Sequence, residues 1–210
     1  MTISQDGANS LSNQLNANFD SITSNLNSTI ATYSSNQNEI WRSTAASLFA
    51  GEINETLVSV NQALSALNER INSKFSSVAQ IHNDSEQTSV TFPRVSYTSV
   101  SKNVEPDESW AGNKTGVLEG HSVAELKPHF NSIIQAVQDD LKKVRSTIEG
   151  NTMLDGGVKD SFNGYIAEAE SKLASELSEL NDSFNNRIQG EDSNKVSAEE
   201  IAKSTASAAN

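Results

Sequence analysis

Residues 41–49 read WRSTAASLF, and this stretch separates two segments whose apolar residues recur every three or four positions. Spacing of this kind places the apolar side chains on one face of an α-helix. The two stripes are Leu11, Leu15, Phe19, Ile22, Leu26, Ile30 and Tyr33, followed by Phe49, Ile53, Val60, Leu64, Leu67, Ile71 and Phe75. Because the connection at residues 34–41 is too short for anything but a turn, the sequence predicts an antiparallel helical hairpin.

The second half of the chain repeats the first, and residues 154–162, LDGGVKDSF, correspond to residues 41–49. An offset of 111 residues carries the first stripe, from Leu15 onward, to Leu126, Phe130, Ile133, Val137, Leu141 and Val144. An offset of 113 carries the second stripe to Phe162, Ile166, Leu173, Leu177, Leu180, Phe184 and Ile188. The offset changes between the helices, where an insertion is best tolerated. The pattern predicts two hairpins in tandem.

The two turn segments share an order of bulky, small and apolar residues. The first contains Trp41, Ser43, Ala45 and Phe49, and the second contains Leu154, Gly156, Val158 and Phe162 at the same intervals. A bulky side chain can close the end of the helix pair, and a small residue two positions later lets the chain reverse. We interpret Trp41 chiefly as a core residue, with a contact role as the alternative.

These turn residues resemble those of the WXG family, whose members are helical hairpins exported by bacterial type VII secretion systems. The hallmark of the family is Trp-x-Gly in the turn between two long helices. The resemblance covers residues of about 8–83 and 122–190, so the chain is similar to two such modules in one polypeptide. Ser43 stands where glycine is usual, and Leu154 stands where tryptophan is usual. The tyrosine-based export signal of some members is not matched.

The resemblance implies a secreted, non-enzymatic protein that acts as a structural or carrier partner, or as a binding protein with a role in virulence. Its implied partners are proteins, namely the secretion ATPase, a co-secreted effector or a host protein. A lone hairpin leaves part of its apolar stripe in water, so such modules pair into bundles. We therefore expect an all-α fold in which two antiparallel hairpins form an elongated four-helix bundle, as a monomer that mimics a hairpin dimer.

The predicted domains are a first hairpin at 1–83, a linker at 84–120, a second hairpin at 121–190 and a mobile polar tail at 191–210. Near alternation of apolar residues at Val90, Phe92, Val95 and Tyr97 suggests a short extended segment or β-hairpin that lies on the helices, in an otherwise irregular linker. The sequence SVAE at residues 122–125 has the form of a capping box, and Pro128 places the start of the third long helix nearby. Gly190 is the predicted end of the fourth helix.

The composition excludes several function classes. A net charge of −12 argues against nucleic acid and against anionic membrane surfaces, because both require clustered lysine and arginine. The chain has no cysteine, so it can form neither a disulfide framework nor a thiolate metal site. The first ten residues, MTISQDGANS, do not have the form of an ordinary secretory signal, so we expect secretion by a specialised route.

No residue pattern indicates catalysis, a cofactor or a metal. His82, His121 and His129 lack metal-ligand spacing and are read as solvated surface residues. The adjacent carboxylates Asp139 and Asp140 are read as solvated charge on different helix faces. A literal Trp-x-Gly begins at Trp110 in the linker, where the aromatic ring either pins the linker to the bundle or binds a partner. We therefore expect a protein that is not an enzyme.

A second function class stays open at this point. The chain could be a helical surface, needle-tip or pore-forming bundle whose central residues 90–100 insert or cap. That segment is short and is interrupted by Pro93 and Arg94, whereas pore formation favours a long apolar hairpin. The sequence therefore favours a secreted type VII substrate.

Overall fold

The computed structural model describes residues 3–108, 116–118 and 120–208, with side chains as far as residue 191, and the chain is all-α within them. Two long helices come first, α1 (Gln5–Ile40) and α2 (Thr44–Glu86). A 3-10 turn, Val123–Leu126, then leads into α3 (Lys127–Gly150), and a short connection leads into α4 (Gly156–Ala208). The four helices are those that the apolar stripes predicted.

The predicted stripes form the core. No side chain of the two first-half stripes is more than 2% exposed, and most are fully buried. Their counterparts in the second half are also buried, except Ile188, which is half-buried. Burying one leucine, isoleucine or phenylalanine side chain contributes about 1.5–3 kcal/mol relative to leaving it in water. The stripes therefore supply the main driving force that holds these helices in place.

The first turn is shorter than predicted. Residues 34–40, which the sequence assigned to the turn, belong to α1, and the chain reverses only at residues 41–43. Gln37 continues the buried stripe of α1 although it is polar, and its side-chain amide donates a hydrogen bond to the Ala46 carbonyl at 3.4 Å. Because this buried stripe position is occupied by a polar residue, the apolar periodicity did not predict the last two turns of α1.

The start of α3 is confirmed, and the predicted end of α4 is wrong. Ser122 caps the 3-10 turn with a complete capping box, in which Glu125 accepts a hydrogen bond from the Ser122 backbone, and α3 begins at Lys127, next to Pro128. In contrast, α4 continues through Gly190 as far as Ala208. A glycine inside a helix costs only about 1 kcal/mol relative to alanine, which the rest of a long helix can offset. The mobility of the tail from residue 191 stays a prediction.

The chain forms two compact units, and each takes residues from all four helices. The first unit comprises Met1–Ser28, Leu57–Ser101 and Ile134–Ser175, and the second comprises Thr29–Thr56, Lys102–Ile133 and Glu176–Asn210. The first unit therefore contains the turn between α3 and α4, together with the start of α1 and the end of α2. The second contains the turn between α1 and α2, together with the start of α3. The units do not coincide with the two predicted hairpins.

Within its described residues the linker contains no β-strand, but it contains an extended segment that lies on the helices, which was the other form that the near alternation allowed. Residues 88–107 are extended but belong to no strand, and an isolated bridge pairs Trp41 with Val117. The backbone of the extended segment is hydrogen-bonded by side chains of α1 and α2, chiefly asparagines. These side chains satisfy backbone groups that a neighbouring strand would otherwise satisfy.

Two polar residues that were read as solvated are buried. His82 is 3% exposed, and its Nε2 atom has no hydrogen-bond partner among the described residues. Asp140 is 1% exposed and accepts hydrogen bonds from Asn25 at 2.8 Å and from Lys143 at 2.5 Å. Sequence spacing could not reveal that Asn25, on another helix, would bind this carboxylate. The hydrogen bond between Asn25 and Asp140 links α1 to α3 within the first unit.

Candidate functional site: the two turns and the linker segment

Trp41 closes the turn between α1 and α2 and is fully buried. The end of the linker lies across it. The Arg42 amide donates to the Gly116 carbonyl at 3.1 Å, and the Leu118 amide donates to the Ile40 carbonyl at 3.0 Å. The indole is thus fully buried in the core of the second unit, and residues 116–118 are hydrogen-bonded to the backbone on either side of it.

Trp41 adjoins an aromatic cluster centred on Phe49 in the second unit. The Phe49 ring centroid lies 6.3 Å from that of Trp41 and 6.5 Å from that of Tyr33. Phe130 of α3 lies at 5.7 Å, and Phe184 of α4 stacks on Phe49 at 5.1 Å. Pairs of aromatic rings at these separations contribute about 0.5–1.5 kcal/mol beyond the area they bury. This cluster joins the first turn to the second-half helices within the unit.

Ser43 has a more specific role than its small size suggested. Its hydroxyl oxygen accepts a hydrogen bond from the Ala46 amide at 3.1 Å, and its carbonyl accepts one from the Ser47 amide at 3.0 Å. Both bonds are those of the residue that caps the start of a helix. Ala45, the next motif residue, is half-buried in the first turn of α2. Serine therefore stands at this position because its side chain satisfies a free helix amide.

The second turn uses its residues differently. Leu154 is buried, as expected, but the residue that caps α4 is Asp155, whose carboxylate accepts from the Val158 amide at 2.9 Å. Gly156 is the first residue of α4. In capping role, Ser43 therefore corresponds to Asp155 rather than to Gly156, so the two turns place their caps one residue apart relative to the buried Phe49 and Phe162. The apolar anchor Phe162 is nevertheless fully buried, as Phe49 is.

The second turn packs against the start of α1 and the end of α2 within the first unit. A buried cluster of Ile3, Ala8, Val78 and Val90 has Met153 and Val158 against it. Gly7 allows this approach, because a Cβ atom at that position would overlap the Met153 sulfur. The close contact explains why the first turn of α1 carries a glycine, a residue otherwise unfavourable inside helices.

Asparagines on α2 form hydrogen bonds with the backbone of the linker segment. We call three of them, Asn61, Asn72 and Asn83, the asparagine ladder. Each side-chain amide donates to the carbonyl of one valine and accepts from the amide of the same valine. The pairs are Asn83 with Val90 at 2.8 and 2.8 Å, Asn72 with Val95 at 2.8 and 2.8 Å, and Asn61 with Val100 at 3.1 and 2.8 Å. All three pairs lie in the first unit. In the second unit, Asn54 pairs with Val104 in the same manner, at 3.0 and 2.8 Å.

Helix α1 binds the residue that follows each valine in the first unit. Gln5 accepts from the Thr91 amide at 3.0 Å and donates to its carbonyl at 2.7 Å. Asn16 accepts from the Ser96 amide at 2.7 Å, and Asn27 accepts from the Ser101 amide at 3.0 Å. The backbone of the segment is thus held from both helices, while its valines are buried beneath it.

The sequence analysis missed these asparagines, although the sequence carries two signals for them. Within the first unit, the amide-bearing residues recur every eleven positions, as Gln5, Asn16 and Asn27 on α1 and as Asn61, Asn72 and Asn83 on α2. Their linker partners recur every five positions, at Val90, Val95 and Val100. Eleven helical residues rise about 16.5 Å, and five extended residues span about 16.5 Å. The two periods therefore match in length.

A shallow cavity of about 220 Å³ lies between α2 and α4 in the first unit, lined in part by Ala66, Arg70 and Tyr165. The Arg70 guanidinium lies 4.2 Å from the centroid of the Tyr165 ring and forms an ion pair with Glu168. Because the arginine is engaged by a ring and a carboxylate of α4, this feature is better explained as a contact between helices than as a ligand site. Among the residues with described side chains, no cluster of histidines and carboxylates could hold a metal ion.

Two tyrosines give the fold an alkaline limit. Burial raises the pKa of Tyr33 far above its ordinary value, and burial raises the pKa of Tyr97 to about 12, against an opposing hydrogen bond with the Val100 backbone. A tyrosine whose pKa is higher in the folded state stabilises the fold fully below pH 10, and this stability is lost as the pH rises through the folded pKa.

We expect Tyr33→Phe to remove the share of this alkaline sensitivity that Tyr33 contributes, while the share of Tyr97 remains. At pH 7 the variant should gain about 1 kcal/mol, because the Tyr33 hydroxyl is buried without a partner among the described residues. Above pH 10 its advantage over the wild type should grow by about 1.4 kcal/mol per pH unit. Urea unfolding at pH 7 and at pH 11 measures both effects, with Tyr165→Phe, which changes a half-buried tyrosine of α4, as the control. An advantage that does not change with pH would contradict the assignment to Tyr33.

Trp110, the candidate partner-binding residue of the linker, lies outside the described residues. Within the described part of the chain, no helix is both long and apolar enough to cross a lipid bilayer. Comparison of the chain with known protein families, with curated protein sequences and with solved structures gave no match.

Proposed function

We propose that this protein is a secreted, non-enzymatic substrate of a bacterial type VII secretion system, and that it acts as a structural, carrier or binding partner of another protein. The observation that carries the proposal is the form of the two turns. Each has a buried bulky residue, Trp41 or Leu154, directly before a helix that a side chain caps. Two long helices flank each turn.

We also propose that the two hairpins pair antiparallel in one elongated four-helix bundle, as a monomer that mimics a hairpin dimer. Two contacts support this. In the first unit, Met153 of the second turn packs against the start of α1 and the end of α2. In the second unit, Phe49, shortly after the first turn, packs against Phe130 near the start of α3. Each turn thus lies beside the open ends of the other helix pair, as antiparallel pairing requires.

The burial of the central segment bears on the alternative of a needle-tip or pore-forming protein. Residues 90–100 would have to insert or cap in that function, but Val90, Val95 and Val100 are buried against the helices. Insertion would require this segment to leave the asparagine ladder and break its hydrogen bonds. The docked segment therefore favours the role of a secreted partner.

The test is the amount of the protein in the culture medium of its source organism, with and without a working type VII membrane ATPase. We expect the extracellular protein to be lost without the ATPase, while the cell-associated amount is unchanged and a cytoplasmic marker excludes lysis. Restoring the ATPase should restore export. Equal export in both strains would overturn the proposal and favour the surface or needle-tip function.

A further inference from the structure

We propose that the face of α1 and α2 in the first unit is a binding site for extended polypeptide, which the chain's own linker occupies. The ligand of this site is an extended segment with a small β-branched residue at every fifth position, and with an aromatic residue two positions after the first two of them. This function is independent of the route by which the protein is exported.

The chemistry of the contacts supports recognition of a main chain. Each ladder asparagine binds both the N–H and the C=O of one linker residue, as a neighbouring β-strand would. Such bonds do not depend on which side chain the bound residue carries. The ladder residues project from one helix, whose backbone fixes the spacing of their Cα atoms and so reduces the ordering that binding requires.

The valines and two aromatic residues supply the specificity. Val90, Val95 and Val100 are 7%, 0% and 7% exposed. Phe92 stacks on Phe75 of α2 at 4.3 Å, and the Tyr97 hydroxyl donates a hydrogen bond to Asn61 at 2.6 Å. The valines recur at every fifth residue, in a register that is fixed by the equal lengths of eleven helical and five extended residues. A segment with one residue inserted would lose this register at the next valine.

The sequence of the linker also shows where proline is tolerated. Pro93 stands between two valines, at a position whose missing N–H leaves the ladder bonds intact. A proline at residue 96 would instead remove the N–H that binds Asn16. The site thus makes opposite predictions for proline at two positions of a bound peptide.

The experiment uses the full chain with Val90→Ser, Val95→Ser and Val100→Ser, which weakens the bound segment but keeps its length and every ladder asparagine. The probe is a fluorescent peptide with the wild-type sequence of residues 88–103, and fluorescence anisotropy follows its binding. We expect saturable binding. Ser96→Pro in the peptide should weaken it about fivefold, because the hydrogen bond from the Ser96 amide to Asn16 is lost. Ser99→Pro, the matched control, should change it little.

Variants of the protein test the ladder itself. In the same chain, Asn72→Ala should weaken binding of the peptide about tenfold, because two hydrogen bonds to Val95 are lost. Asn13→Ala, which changes an exposed asparagine of α1, should leave binding unchanged. Absence of saturable binding to a variant that retains the wild-type helical circular dichroism would overturn the proposal.

If the triple variant loses its helical signal, hydrogen exchange of the wild-type chain decides the question. When the linker segment leaves the site transiently, free peptide can bind there and keep the segment exposed to solvent. The peptide should therefore accelerate exchange of the Val95 and Val100 amides in proportion to its concentration. The Ser96→Pro peptide should accelerate it less. Exchange that does not respond to the wild-type peptide at millimolar concentration would show that the site accepts only its own covalently attached segment.

Discussion

Replacing Trp41 with alanine is expected to lower the free energy of unfolding by about 3–5 kcal/mol. The indole is fully buried in the second unit and contacts the cluster around Phe49. Its removal leaves a cavity that residues 116–118 cannot fill, since the bridge at Val117 fixes their backbone. Urea denaturation followed by circular dichroism at 222 nm, a conventional wavelength for helix content, measures the change.

Trp41→Phe is the matched control, and we expect it to cost roughly 1–2 kcal/mol, well below the loss for alanine. Phenylalanine keeps an aromatic ring in the site. It also removes the indole N–H, which is buried without a hydrogen-bond partner among the described residues. An alanine variant as stable as the wild type would place Trp41 on the surface, and would reopen a role for it in binding.

Phe49→Ala is expected to destabilise the protein by about 3–5 kcal/mol as well. Phe49 has aromatic neighbours from α1, α3 and α4 in the second unit, so its loss removes contacts on three sides. Its chain neighbour Leu48 is 58% exposed. Leu48→Ala should therefore change stability by less than about 0.5 kcal/mol. Equal effects at the two positions would contradict the helix phase described for α2.

The two large effects should not add. The rings of Trp41 and Phe49 are 6.3 Å apart, and residues in contact show coupling energies of about 0.5–3 kcal/mol. The double alanine variant is expected to lose less stability than the sum of the single variants. Full additivity would indicate that the turn and the cluster are independent.

The linker has consequences for how the proposed function operates. A segment that is bonded along its length to α1 and α2 fixes the path of the chain between the two predicted hairpins. If export or partner binding requires the segment to leave, the asparagine ladder sets the free energy of that step. The peptide experiment would reveal this exchange directly, whereas the secretion experiment is insensitive to it. The two proposals can therefore fail separately.

Apolar periodicity was sufficient to predict the helices. Residues at three- and four-residue spacing must be buried on one helix face, so the sequence predicted the four stripes and the all-α class without tertiary information. The capping box at Ser122 and the start of α3 beside Pro128 were also local signals, and both were confirmed. The sequence could not show that Gln37 continues a stripe, because a buried amide looks solvent-exposed until its partner at Ala46 is known.

Only the tertiary structure assigned the remaining polar residues. Ser43 and Asp155 both cap helices, but they occupy different positions of the turn motif, one residue apart. The equal spacing of the motif residues in the two turns therefore did not reveal that the caps differ. Asp140 and the asparagines of the ladder are hydrophilic, and sequence reasoning assigns such residues to water. Their partners lie on segments distant in the chain, such as Asn25 for Asp140 and Val95 for Asn72. Hydrophobic burial is decided locally by pattern, whereas a polar side chain is buried only when a distant partner satisfies it.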